Sequence, residues 1–192
     1  MGFVIFCNLF FGAWNLTMFS DPSYNIEQLD LQSGMKAADL GAGSGFYSFA
    51  LARAVGGAGK VYAVDVQKEL LERLKKEATH QGLHNVEVIW GDVLTPGGTK
   101  LRDQSVDAVI AANLLFQLDN KPAFANEVKR ILKTKGKLML VDWNESYGGM
   151  GPTAEHVVGK VAGREIFESI GFVFERDIQA GGHHWGLIFR KS

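Results

Sequence analysis

The sequence predicts an α/β protein: a doubly wound sheet of seven strands, mostly parallel, with an antiparallel C-terminal hairpin. Three observations predict it. From Asp21 onward apolar runs alternate with helical patterns, as in a parallel sheet covered on both faces. Crossovers between parallel strands are right-handed, which makes the sheet doubly wound. The last two apolar runs are joined by a short segment containing Ala180-Gly181-Gly182, a hairpin turn. A chain of 192 residues fits one domain with one core, and no repeat, low-complexity tract or linker divides residues 21–192.

Lys36–Leu40 reads as a short strand entering a glycine loop, and Phe46–Val55 as the helix after it. Lys60–Val64 is the second strand, bounded by Gly56-Gly57-Ala58-Gly59. Val66, Leu70, Leu71, Leu74 and Ala78 fall on one helical face, and Gly82 closes that helix. Val86–Trp90 is the third strand. Val106–Ala112, nearly all apolar, is a strand buried on both faces. A helix starts near Pro122, with Phe124, Val128, Ile131 and Leu132 as its buried face. Lys137–Asp142 is the fifth strand. A helix over Thr153–Ile170 follows, weakened by Gly159 and Gly163. Phe172–Ile178 and Trp185–Arg190 form the hairpin.

Composition narrows the function. A net charge of -1 gives no bulk attraction to nucleic acid or anionic lipid. The single cysteine, Cys7, cannot form an internal disulfide and leaves no thiol cluster for a soft metal. A cytoplasmic location is expected. Residues 1–20 are uncharged and rich in Phe, Leu and Trp. They lack the basic n-region and small-x-small cleavage site of a secretory signal. They are expected to pack as a helix on the domain or over its pocket, to associate the protein with a membrane, or to be an extension with no role.

In an open parallel sheet, ligands sit beyond the carboxyl ends of the strands at the switch point. There this chain places Asp39-Leu40-Gly41-Ala42-Gly43-Ser44-Gly45. Alternate glycines let the backbone turn tightly and approach a ligand, and the next helix offers N–H groups at its start. A glycine loop alone is weak evidence. Asp65, about twenty residues further on, ends the second strand and can accept ribose hydroxyls. Asp92, after the third strand, can accept an exocyclic amine such as that of adenine. A dinucleotide fingerprint would place its third small residue at position 46, which is Phe46. An adenosyl ligand without phosphates fits better.

Asp39–Phe46, Val61–Asp65, Gly91-Asp92 and Ile131–Lys137 together resemble the ordered motifs of class I S-adenosylmethionine-dependent methyltransferases. The nearer likeness is to the small-molecule branch that includes the ubiquinone and menaquinone methyltransferases. It covers about Met35 to Asp142. The family usually reads leucine-lysine-proline-glycine-glycine where this chain has Leu132–Gly136, a change confined to a surface turn. The resemblance implies a Rossmann-like fold and S-adenosylmethionine as cofactor. It implies that Asp39, Gly41, Ala42, Gly43 and Gly45 form the loop at the methionine end. Asp65 would take the ribose hydroxyls and Asp92 the adenine amine. Val66 and Val93 would flank the adenine, and Asn113 would face the methionine part or the transferred methyl.

Methyl transfer from a sulfonium needs a nucleophile in line with the carbon–sulfur bond, and positioning removes much of the barrier. A general base is needed only for a protonated acceptor, so no fixed catalytic constellation is expected. Candidate acceptor-side groups are Asp142, His183 and His184. If both histidines lie on a strand they point to opposite faces, and only one reaches a given site. No metal is expected: the sequence has neither the acidic set of the metal-assisted catechol enzymes nor a histidine-rich ligand pattern. The expected partner is a small-molecule acceptor. Two alternatives stay open. Nucleic-acid methylation is disfavoured by Asn113-Leu114-Leu115-Phe116, which lacks the paired prolines of amino-directed enzymes. The basic run Lys129, Arg130, Lys133, Lys135 and Lys137 reads as a solvated helix end. The second alternative is a protein that binds the cofactor without turnover.

Overall fold

A computed structural model describes residues 20–192. The expectations for residues 1–19 lie outside the described residues. The helices are α1 (Pro22–Glu27), α2 (Phe46–Val55), α3 (Lys68–His80), α4 (Lys121–Ile131) and α5 (Lys160–Glu168). The strands are β1 (Lys36–Leu40), β2 (Lys60–Asp65), β3 (Val86–Trp90), β4 (Val106–Ala112), β5 (Leu132–Trp143), β6 (Phe172–Ile178) and β7 (His184–Lys191). They form one sheet in the order β3-β2-β1-β4-β5-β7-β6. β1 pairs in parallel with both β2 and β4, so the strand order reverses there. β7 runs antiparallel to both β5 and β6. The fold is the doubly wound, Rossmann-like architecture expected from the sequence. Among the described residues no helix is long and apolar enough to cross a membrane.

Alternation along the strands divides the core in two. On one face Ala37, Val61, Ile110, Met139, Val141 and Ile188 pack with Ile26 of α1 and Leu51 and Val55 of α2. On the other, Leu40, Val109, Leu138, Leu140 and Phe189 pack with Phe124 and Val128 of α4 and Phe167 of α5. Phe167 meets Phe124 and Phe172 edge-on, with ring centres 6.1 and 5.5 Å apart. Each such buried side chain contributes about 1.5–3 kcal/mol of transfer free energy.

Several elements differ from expectation, each for a local reason. α1 has no long apolar pattern; it forms because Asp21 caps it, accepting from Ser23 N and Tyr24 N, with Pro22 in the first turn. Val66 is not in α3: the helix starts at Lys68 and leaves Val66 57% exposed. β5 begins at Leu132, directly after α4, because Leu132 already pairs with Val106. The expected turn survives inside it as an irregularity, with Lys135 at φ +63°. The helix expected over 153–170 is reduced to α5 and a 3-10 turn at Ala154–His156. Val157 and Gly159 are extended, and Gly159 caps α5 without a side chain to help.

Candidate active site

The glycine loop is fixed by its neighbours at the end of β1. Gly41 N and Ala42 N both donate to Val64 O, at 2.9 and 3.0 Å, which ties the loop to β2. Gly45 has φ +88°, and a Cβ there would lie 2.6 Å from Leu74 Cγ of α3. Backbone geometry and close helix approach therefore both demand glycine at 45.

Three carboxylates stand at the ends of consecutive strands. Asp39 is buried and its Oδ2 accepts from Ser48 Oγ of α2 at 2.6 Å. Burial pushes its pKa up to about 6; nearby Asp65 acts in the same direction and Ser48 opposes. Asp65 accepts from Gly43 N and Gln67 N, both at 2.9 Å. One carboxylate thus joins the glycine loop to the turn entering α3. Asp92 is exposed and accepts from Leu94 N and Thr95 Oγ1, both at 2.9 Å. That turn buries Val93 while leaving Val66 at the rim.

Asn113 follows β4 with φ +55°. Its N–H donates to Val141 O at 2.8 Å, and its side-chain Oδ1 is buried with no hydrogen-bond partner. An unpartnered buried acceptor costs about 1–3 kcal/mol, and a ligand donor would recover that cost. Asp39, Ala42, Gly43, Asp65 and Asn113 therefore stand at the carboxyl ends of adjacent strands β2, β1 and β4, and the open Asn113 Oδ1 fits a ligand donor such as an ammonium.

The acceptor-side candidates separate. Asp142 is buried, with Oδ2 accepting from Leu115 N and Oδ1 from Trp143 N, both at 2.8 Å. It braces the loop after β4, and burial raises its pKa to about 6. His184 opens β7 and pairs across to Trp143, the last residue of β5. Its ring lies 4.3 Å from the Trp143 ring, is 6% exposed, and neither nitrogen has a hydrogen-bond partner. Burial lowers its pKa to about 4, so the imidazole is neutral at neutral pH. His183 lies just before the strand, stacked 3.7 Å from Tyr147 with Nδ1 2.9 Å from Glu145 Oε1. Trp143 belongs to the same face as Met139 and Val141 by alternation, the face that α1 and α2 cover. Asp39 shares that face with Ala37. Phe46, beside the glycine loop, is 64% exposed.

Sequence reasoning missed two supports. Glu127 of α4 is buried and accepts from Gly97 N, Thr99 N, Thr99 Oγ1 and Arg130, so it clamps the loop after Asp92. The signal was a charged residue among Phe124, Val128 and Ile131 on an otherwise apolar helix face. Trp90 donates from Nε1 to Val66 O at 3.0 Å; a lone tryptophan ending a strand gave no signal. Among the described residues no group of three or more His, Cys, Asp or Glu could hold a metal ion.

The chain is similar to known methyltransferases in sequence and in fold. A family model described as a methyltransferase domain matches residues 31–168. A demethylmenaquinone methyltransferase of Geobacillus stearothermophilus is 32% identical over 114 residues, 58% of this chain and 46% of that protein. A protein-L-isoaspartate O-methyltransferase of Methanococcus maripaludis is 39% identical over 66 residues, 34% of this chain and 31% of that protein. The chain thus spans less than half the length of either. The crystal structure of a SAM-dependent methyltransferase from Aquifex aeolicus superposes with a TM-score of 0.83 at 31% identity, covering 94% of both chains. A putative type 11 methyltransferase from Sulfolobus solfataricus gives 0.69 at 27% identity, covering 88% of this chain and 89% of that one. With its glycine loop, its strand-end carboxylates and most of its length inside the matching family model, the chain belongs to the class I S-adenosylmethionine-dependent methyltransferases.

Proposed function

We propose that this protein transfers a methyl group from S-adenosylmethionine to a small, largely apolar acceptor by direct in-line displacement. The observation that carries the reading is the buried, unpartnered Asn113 Oδ1 at the strand-order reversal, beside the glycine loop. S-adenosylmethionine supplies the methyl on a sulfonium that is already a good leaving group. Asn113 Oδ1 would accept from the ammonium of the methionine end, and Gly41, Ala42, Gly43 and Gly45 would line that end. Asp65 would receive the ribose hydroxyls and Asp92 the adenine amine, and Val66 and Val93 would flank the ring. Asp39, close to Asp65, holds negative charge near a cationic ligand. Charge placed in advance stabilises a cation without reorganisation.

In the transfer, a lone pair of the acceptor forms the new bond to the methyl carbon while the carbon–sulfur bond breaks. The sulfur leaves as the neutral thioether of S-adenosylhomocysteine. Positioning does most of the work. Asp142 holds the loop after β4 in register. His184 is buried and held neutral, so a proton released by an acceptor hydroxyl would pass to solvent. The exposed ring of Phe46 would provide aromatic surface for a planar or quinone-like acceptor. An apolar acceptor would also suit the uncharged residues 1–20: deleting residues 1–18 should weaken turnover of apolar acceptors more than cofactor binding, and equal loss of both would count against that role.

The reading is tested by product. Purified protein is incubated with methyl-labelled S-adenosylmethionine and a panel of phenols, quinols and short nucleic acids. Label in a small molecule with S-adenosylhomocysteine formed supports it. Label in nucleic acid, or no turnover despite cofactor binding, overturns it. Nucleic acid is the weaker reading because the basic run is engaged within the fold. Lys129 donates to Ile170 O, Lys133 pairs with Asp107, Lys137 donates to Leu29 O and Arg130 binds Glu127. Lys133 to Lys137 also sit where β5 begins, at the end of the sheet opposite the glycine loop.

A further inference from the structure

We infer that Trp90 is a positioning residue for the adenine end of the cofactor, an inference that rests on the assignment of Asp65, Val66, Asp92 and Val93 above. Trp90 ends β3, and its partner across the parallel ladder is Asp65, so the indole and the Asp65 carboxylate leave the sheet on the same side. Two successive carbonyls at the exit of β2 are held by two successive residues at the exit of β3. Gly91 N donates to Asp65 O, and Trp90 Nε1 donates to Val66 O, both at 3.0 Å. The main chain on either side of Val66 is therefore fixed from β3, while the Val66 side chain stands exposed at the rim.

The indole also gathers the segments around that rim. Lys68 Nζ, from the first turn of α3, lies 4.0 Å from the ring centre. Lys100 Nζ, at the far end of the loop that begins with Asp92, lies 5.1 Å away. The exit of β2, the start of α3 and the Asp92–Lys100 loop thus meet on one side chain. Trp90 is 53% exposed, so burial of apolar surface does not account for its place. It acts as a strut whose N–H sets Val66 and whose π-faces hold two ammonium groups. The distance between Val66 and Val93, which would take the adenine ring, follows from that strut.

The test compares Trp90→Phe, Trp90→Leu and Asn113→Ala with the unmodified protein by calorimetry. The probes are S-adenosylhomocysteine and methylthioadenosine, which share the adenosine end and differ at the methionine end. Folding of each variant is checked by thermal melting. Loss of the N–H alone should weaken both probes by the same factor, roughly 2- to 10-fold. Loss of the ring as well should weaken both further, to roughly 10- to 100-fold, as the cation–π contacts go too. Asn113→Ala should weaken S-adenosylhomocysteine and spare methylthioadenosine. Folded Trp90 variants that bind both probes as the unmodified protein does would overturn the inference alone. So would variants that lose S-adenosylhomocysteine while keeping methylthioadenosine. An unmodified, folded protein that binds neither probe would overturn the cofactor-site assignment, and this inference with it.

Discussion

Glu127→Gln should cost about 3 kcal/mol of folding stability near neutral pH. Glu127 is 2% exposed. Its Oε2 accepts from Gly97 N at 2.9 Å and Arg130 Nε at 2.8 Å; its Oε1 accepts from Thr99 N at 3.2 Å, Thr99 Oγ1 at 2.6 Å and Arg130 Nη2 at 2.7 Å. Burial alone would raise its pKa, but these donors together bring it from 4.5 down to about 2. That shift corresponds to about 3 kcal/mol. Removing one partner of a buried ion pair independently costs about 3–5 kcal/mol. The lower figure applies because Arg130 keeps Asp103, 2.5 Å away, when Glu127 is lost. A depressed carboxylate pKa stabilises the fold above 4.5, and that contribution is lost as pH falls towards 2. Urea unfolding at pH 7.5 should therefore show a lower midpoint with an unchanged slope, and the gap between variant and parent should narrow below pH 4.5. Hydrogen exchange should show the amides of Gly97 and Thr99 losing protection first. A loss below about 1 kcal/mol at pH 7.5, or a gap that stays constant from pH 7.5 to 3, would refute the clamp.

Other perturbations test separate links of the account. Asp39 has its pKa raised to about 6, so its charge beside a cationic ligand appears only as pH rises through that value. Preference for S-adenosylmethionine over neutral-sulfur S-adenosylhomocysteine should grow roughly fivefold between pH 5 and 7.5, a nearby unit charge being worth on the order of 1 kcal/mol. Calorimetry on Asp39→Asn should find no such growth. His184 has its pKa lowered to about 4, so it must stay neutral in the folded state. Its contribution is complete above pH 6.5 and is lost as pH falls towards 4, up to about 3 kcal/mol; His184→Phe should remove that acid-side decline from thermal melts. Gly45→Ala should cost about 2–4 kcal/mol, combining left-handed strain with collision against Leu74, seen as a drop in melting temperature.

What was legible in the sequence was what is local. The alternation of apolar runs and helical patterns gave the sheet, because side-chain period reflects which faces are buried. The glycine loop, Asp65 and Asp92 could be read because a strand end followed by a turn fixes where a short side chain sits. What depends on distant partners was not legible. α1 is too short to show a pattern and rests on one cap and on Tyr47, whose hydroxyl lies 2.7 Å from Asn25 Nδ2. The brace at Asp142 needs the β4–β5 register to bring Leu115 N within reach. The burial of His184 follows from its cross-strand position opposite Trp143. The strut at Trp90 appears only once β3 is paired with β2. Val66 was misassigned to a helix because its apolar character fits the helical period, although the chain turns at Asp65 and the helix begins three residues later, at Lys68.

The central claim is that the β1–β4 reversal binds S-adenosylmethionine through the Asp65 carboxylate. Titration calorimetry of the purified protein with S-adenosylmethionine and S-adenosylhomocysteine, beside Asp65→Ala, tests it most directly. The account predicts saturable binding of both ligands, weakened roughly 10- to 100-fold in the variant, as expected for hydrogen bonds to a charged group. A folded protein that binds neither ligand, or one whose affinity is unchanged by Asp65→Ala, would contradict it.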